Sequence, residues 1–190
     1  MITPRPDPDA GPAYVYRTVI PHPTRPQILV LPGENGWVLP RWEITWLPNR
    51  QDISHVNQSV MDTLGLDVRV LRCLSYEANA ERDRAQAVYV MENRGCDEMP
   101  PAGGCWLGSD RLRDFPLALP EERALLEICL AEVTDVNVPS LRRPWARTGW
   151  FDAAETWIHE QLSRLGAAAN GPYDFNAGLR VPALKQGAPL

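Results

Sequence analysis

A chain of 190 residues, 44% hydrophobic and 23% charged, is long enough to bury a core of its own and ordinary in make-up for a globular protein. Its formal net charge of −5, with no long basic run, argues against a nucleic-acid partner, and no apolar stretch nears the roughly 20 residues of a membrane helix. Cys73, Cys96, Cys105 and Cys129 form no C-x-x-C pair, which speaks against zinc, and the Pro- and Asp-rich start from Met1 to Gly11 has no apolar signal segment, so a reduced, cytoplasmic protein is expected.

Residues 1–12 read as a flexible tail. Ala13 to Ile20 alternates β-branched and aromatic residues with others, the pattern of a strand. The prolines of the following PHPTRP segment keep it out of a sheet interior. Gln27 to Leu31 is a buried strand, Pro32 to Gly36 a Gly-rich turn and Trp37 to Leu39 a further strand, together a hairpin. That turn lacks the G-K-[ST] ending of a phosphate-binding loop. Trp42 and Trp46 fall in a loop, where their rings either fill a cleft or stack on a flat ligand.

Ile53 to Leu64 is the clearest helix: Ile53, Val56, Val60 and Leu64 recur at helical spacing, with Asp52 as its expected cap and Gly65 just beyond its end. Asp67 to Tyr76 and Ala85 to Glu92 read as strands, the second apolar on both faces and therefore central, with a polar connection between them. Cys105 to Leu107 is a short strand. A second helix begins at Pro120, with Glu121 and Glu122 in its first turn and an apolar stripe through Ala124, Leu125, Ile128, Cys129 and Glu132. A third runs from Asp152 to Leu165, with the stripe Phe151, Ala154, Trp157, Ile158, Leu162 and Leu165. Gly178 to Leu184 suits one more strand. Cys73 and Cys129 lie in apolar runs and read as core residues, as do Trp37 and Trp106. His22, His55 and His159 lack metal spacing and read as surface residues. Arg142, Arg143 and Arg147 read as a solvated basic linker, and no G-x-S-x-G elbow supports a serine hydrolase.

The order of these elements, with Trp37-Val38-Leu39-Pro40 ahead of a helix ending Leu64-Gly65-Leu66, resembles the Nudix fold. So does Cys105-Trp106-Leu107 followed by Asp110-Arg111-Leu112. The resemblance covers about residues 13–133 and implies a mixed-sheet α/β sandwich with a C-terminal helical appendage. The Nudix box reads G-x5-E-x7-R-E-U-x-E-E-x-G-U, with U aliphatic. Placing its last glycine on Gly65 puts the aliphatic positions on Val60 and Leu66, which match. The R-E pair then falls on Gln58 and Ser59, the later carboxylate pair on Asp62 and Thr63, the first glycine on Ile44 and the first glutamate on Arg50.

That substitution pattern has a chemical meaning. Attack of water on a phosphoanhydride in this family uses Mg²⁺, a hard cation that takes oxygen ligands, and helical carboxylates three and four apart converge on it. Here Asp62 alone remains on the helix as a charged candidate, with Glu43, Asp52 or Glu77 as recruits that no spacing requires. The expectation is therefore a catalytically degenerate binding or regulatory module for an anionic, nucleotide-like ligand or a protein partner, with Trp42, Trp46, Gln58 and Asp62 as the ligand-contacting residues and Asp62 as the one metal candidate. The alternative is a Mg²⁺-dependent hydrolase of nucleoside diphosphate-linked compounds.

A second, shorter likeness concerns residues 143–166. Arg143-Pro144-Trp145-Ala146-Arg147-Thr148-Gly149-Trp150-Phe151 and the helix after it are similar to the connector in bacterial proteins that place a degenerate Nudix-like domain ahead of an aminoglycoside phosphotransferase-like kinase. The chain ends too soon for a kinase lobe, so kinase activity is not expected. The expected organisation is a tail at 1–12, a Nudix-like domain at 13–138, a Pro-rich connector with an amphipathic helix at 139–166, and an irregular tail at 167–190. The aromatic face of that helix is expected to dock on its own domain or, the favoured reading, to form a homodimer.

Overall fold

The computed structural model describes residues 13–45, 53–79, 84–95, 99–101, 103–134 and 143–165. Asp52, Trp46, Cys96, Arg142 and the expected strand at Gly178 to Leu184 lie outside them.

Two sheets form the body of the protein. Strand β1 (Tyr14–Val19) lies parallel to β6 (Arg84–Asn93) and antiparallel to β4 (Arg41–Ile44), while β5 (Val68–Asn79) pairs antiparallel with the far side of β6, giving the order β4-β1-β6-β5. The second sheet is antiparallel: β2 (Gln27–Gly33) sits between β3 (Gly36–Val38) and β7 (Cys105–Gly108). A sheet mixing parallel and antiparallel pairs, a second sheet and helices packed on them make the expected mixed-sheet α/β sandwich. The near-continuous burial of β6 from Ala87 to Asn93 follows from its place between two other strands, as its apolar run predicts.

The stretch Arg41 to Ile44 was expected to be loop and is strand β4. Its cause is tertiary: the residues pair with β1 in the register Tyr16 opposite Trp42 and Arg17 opposite Arg41, and nothing in four residues of mixed polarity announces a strand.

Helix α1 (Ser54–Leu64) buries Val56 and Val60 in a core shared with Tyr14, Tyr16, Leu29, Tyr89, Met91 and Trp106. Its cap residue is Ile53, with no side-chain cap bond, where Asp52 was expected. Gly65 closes it at φ 69°, in the left-handed region, and its N–H reaches the carbonyl of Met61 at 2.9 Å. Asn57 fastens the helix to β5 by accepting from the N–H of Val70 at 3.1 Å.

After β7 the chain makes a single turn of helix, α2 (Ser109–Leu112), and then α3 (Glu122–Thr134). The buried positions of α3 are Glu122, Leu126, Cys129 and Leu130, whereas Ala124 and Ile128 of the expected stripe are exposed. The helix is rotated because Glu122 points inward, held by partners described below. Beyond it, a 3-10 turn at Pro144–Ala146 is held near β5 and β6. Arg72 donates to the carbonyl of Ala146 at 3.4 Å and ion-pairs with Glu132, and Glu92 accepts from the N–H of Gly149.

The chain divides into two compact units, residues 1–150 and 151–190. In helix α4 (Trp150–Arg164), Phe151, Ala154, Ile158 and Leu162 trace the less exposed stripe. Trp157 and Leu165, expected in that stripe, are 61% and 81% exposed: Trp157 lies off the line that Phe151, Ala154, Ile158 and Leu162 share, and Leu165 follows the last residue of the helix. No helix among the described residues is long and apolar enough to cross a membrane.

Candidate functional site

The side of α1 that carries Ser59 and Thr63 meets the four-stranded sheet through hydroxyl and aromatic groups. Tyr14 and Tyr16, two residues apart on β1, point to the same face and are both fully buried. The Tyr16 hydroxyl donates to Ser59 Oγ at 2.7 Å, and the Tyr14 hydroxyl shares a 2.8 Å hydrogen bond with that of Tyr89 on β6. The imidazole of His55 stands edge-on to both Tyr14 and Tyr16, with ring centres 6.0 and 5.5 Å away. His55 was expected on the polar surface. Its position one turn before Ser59 puts it on the sheet-facing side instead.

Trp42, opposite Tyr16 in the sheet register, stacks on the Tyr16 ring at 5.6 Å with an interplanar angle of 17°. Its indole N–H donates to Thr63 Oγ1 at 3.2 Å, and the Thr63 hydroxyl donates in turn to the carbonyl of Ser59 at 2.6 Å. Trp42 therefore belongs to an edge strand and to α1, not to a loop. Gln58 and Asp62 lie on the outer side of the helix, both exposed, with the amide of Gln58 donating to Asp62 Oδ1 at 2.7 Å. Of the residues named from the sequence, Trp42, Gln58 and Asp62 are thus gathered on or against α1, and Trp46 lies outside the described residues.

The burial of the phenols sets their chemistry. Removal from water disfavours phenolate, so the hydroxyls of Tyr14, Tyr16 and Tyr89 are all pushed above the usual tyrosine range. For Tyr14 the hydrogen bond to Tyr89 adds to that rise. These groups are hydrogen-bond donors and acceptors at any ordinary pH, and neither bases nor nucleophiles.

A divalent cation needs several oxygen ligands with negative charge among them. On α1 the positions in question supply one carboxylate, Asp62, already accepting from Gln58, and two neutral hydroxyls engaged by Tyr16 and Trp42. Glu43 is ion-paired with Arg41, and Glu77 is exposed on β5. Among the described residues no group of three or more His, Cys, Asp and Glu is gathered for a metal ion. The described side chains of this face do not fit Mg²⁺.

Two residues outside the expected set carry much of the local order. Glu122, 1% exposed, accepts from Arg17 at 3.3 Å and from the backbone N–H of Leu39 at 3.1 Å. The second of these bonds fixes the chain just before β4 and so the start of the strand that brings Trp42 to α1. His22 was expected on the surface and is 3% exposed. Its Nδ1 accepts from the N–H groups of Thr24 and Arg25, each at 3.1 Å, and its ring meets Trp106 edge-on at 4.8 Å. A histidine followed two and three residues later by backbone donors can close a turn as an Asp or Asn does, which is the signal the sequence held. Cys73, by contrast, was expected in the core and is exposed, because it lies on an edge strand; Cys129 and Trp106 are buried as expected, and Trp37 is only partly so.

Compared with known proteins, no family model and no curated protein sequence matches this chain. Solved structures do. A protein from Sinorhizobium meliloti 1021 described as an oxidoreductase is 14% identical over 66% of this chain, with a TM-score of 0.50. The match spans 41% of that protein's length. An ADP-ribose pyrophosphatase from Streptococcus suis 89-1591 is 20% identical, covers 66% of this chain and 95% of its own, and has a TM-score of 0.45. A Nudix hydrolase from Nitrosomonas europaea is 11% identical, with coverages of 62% and 71% and a TM-score of 0.43. These are likenesses of fold and do not transfer an activity. In element order and sheet arrangement, with α1 following the β3–β4 segment, the fold is the mixed-sheet α/β sandwich that the resemblance implied.

Proposed function

We propose that this chain is a Nudix-like binding or regulatory module without hydrolytic turnover. The observation that supports this reading is the state of Ser59 and Thr63. Both stand where the box carries glutamates, and both engage their hydroxyls with the protein's own groups, on Tyr16, Trp42 and the helix backbone. A pair of neutral side chains already tied to the sheet neither gathers Mg²⁺ nor activates water.

Among the groups that α1 presents to solvent is the Gln58–Asp62 pair, an amide and a carboxylate one turn apart. Asp62 repels phosphate in the absence of a cation, so an anionic nucleotide-like ligand would rely on Gln58, on backbone donors and on Trp46. Trp42 has one ring face stacked on Tyr16 and its indole N–H on Thr63, which leaves it less of its surface for a ligand. A protein partner, the other occupant of this reading, asks for no phosphate site on this face.

The test is turnover. The intact protein is incubated with nucleotide sugars, dinucleotides and nucleoside triphosphates, each with Mg²⁺ and with Mn²⁺. No hydrolysis above background is expected. A rate of about 1 per second or more, within the ordinary enzymatic range, overturns the proposal, and loss of that rate in Asp62→Ala would place the metal on α1.

A further inference from the structure

At the other end of the hairpin from α1, the chain builds a second recess. It is an open cleft of about 560 Å³ lined by Trp37, Asp110, Arg111, Asp114, Phe115 and Pro116. Its floor is aromatic: the rings of Trp37 and Phe115 pack at 5.5 Å with a 43° tilt. Its floor and one wall are also fixed by the backbone. The N–H of Trp37 donates to the carbonyl of Pro116 at 2.8 Å, and the carbonyl of Trp37 accepts from Ala118 at 2.9 Å. The two segments approach so closely that a Cβ on Gly36 would lie 2.5 Å from the Pro116 oxygen, and Gly36 has φ 135°, so no other residue serves there. The chain segment that carries Asp110 to Pro116 is braced in turn by the guanidinium of Arg123, which donates to the carbonyls of Leu112, Arg113 and Phe115. The cleft is therefore preformed, and a ligand would not have to order it.

The charges at its rim are unevenly used. Arg111 lays its guanidinium over the Phe115 ring, 5.5 Å from the centre, and reaches toward Cys105 Sγ. Asp110 and Asp114 are both exposed, and neither has an ion-pair partner among the described residues. Two carboxylates without ion-pair partners that line one cleft with an indole favour a cation that is also flat. A guanidinium meets both demands, since it stacks on aromatic faces and bridges carboxylates. The cleft is larger than one such group, and the exposed Pro116 beside Trp37 offers an apolar shelf for a neighbouring ring. A segment already extended by proline loses little freedom on docking there.

We infer that this cleft is a docking site for an extended, arginine-containing, proline-flanked segment of a partner protein. The inference is independent of what α1 does, because the two sites share no residue. The experiment follows the indole N–H signal of Trp37 by NMR, assigned with Trp37→Phe, while the intact protein is titrated with the peptide acetyl-Gly-Pro-Arg-Pro-Gly-amide. A saturable shift of that signal is expected. The peptide carrying citrulline in place of arginine, equal in shape and neutral, should bind at least about tenfold more weakly. Asp110→Asn and Asp114→Asn, both on exposed side chains, should each weaken the arginine peptide by about threefold, as expected for a solvated ion pair. Absence of a saturable shift overturns the inference. So does equal binding of the citrulline peptide, indifference to both Asp substitutions, or binding of free argininamide as tight as that of the peptide, which would make the site one for a small cation.

Discussion

Glu122 shows how one side chain can set the rotation of a helix. Counted from its apolar residues, α3 should bury Ala124, Leu125 and Ile128 with Cys129; a carboxylate drawn inward by Arg17 and the N–H of Leu39 turns Leu126 and Leu130 to the core beside Cys129 instead. The carboxylate is buried while Arg17 keeps partial contact with water, at 22% exposure. Truncation therefore strands the Leu39 N–H more than it strands the arginine. Glu122→Ala is expected to cost about 2–4 kcal/mol, and Glu122→Gln, which keeps an acceptor for Leu39, about half of that. Urea unfolding monitored by circular dichroism gives both numbers; equal stability of Glu122→Ala and the parent would remove Glu122 from this role. The buried phenols give a second expectation at this scale. Tyr14, Tyr16 and Tyr89 hold their protons to higher pH in the folded chain than the value near 10 of an unfolded one. Above that pH the unfolded chain is the one that releases protons, so their contribution to stability is complete below about pH 10 and declines as pH rises further. Phenolate absorbance from these three residues should appear together with the loss of far-ultraviolet structure. Their ionisation in a chain that remains folded would show that they are open to solvent.

The element that decides the functional reading is α1. Its apolar side is conventional, with Val56 and Val60 fully buried, and its sheet-facing polar side is a set of closed hydrogen bonds. These two sides should respond differently to substitution. Val60→Asp places an unpaired charge in the core and is expected to unfold the domain. Ser59→Ala removes the acceptor of a fully buried phenol and should cost about 1–2 kcal/mol, while Thr63→Ala, on an exposed side chain, should cost less than about 1 kcal/mol. Thermal melts of the three variants test the order. Damage from Thr63→Ala as large as that from Val60→Asp would mean that α1 sits with another face to the sheet. Strand β4 matters at the same scale, since it carries the ring of Trp42 from the sheet edge to the helix. Its pairing with β1 is what turns four unremarkable residues into part of the site.

For the whole molecule the open matter is the second unit. Helix α4 exposes Trp157 and, past its end, Leu165, large apolar groups that favour a partner surface. A symmetric dimer is the commonest way to cover such a helix. Light scattering on the intact chain is expected to return twice its 21.3 kDa mass, and Trp157→Ser to shift the population toward monomer. A monomer at every concentration tested would send that helix to a different partner. The outcome bears on the module reading as well, because a dimer would present two copies of the Trp37 cleft to one partner and raise its effective affinity.

Periodicity and chain order carried the architecture. The helix from about Ile53 to Leu64, its stop at Gly65, the central place of β6 and the hairpin around Gly36 were all legible, because each follows from local sterics or from alternation that the chain cannot hide. The neutral character of positions 59 and 63 was legible too: Ser59 and Thr63 are not carboxylates in any fold. Tertiary structure alone decided what those hydroxyls do, since their partners Tyr16 and Trp42 are 43 and 21 residues away in sequence. It also decided that His22 and Glu122 are buried, that Trp37 floors an open cleft with Phe115, and that Arg41 to Ile44 is a strand. The reason is common to all of them. A polar side chain is drawn inward by a partner that chain distance conceals, and the free energy of that pairing, unlike the hydrophobic pattern, leaves no period in the sequence.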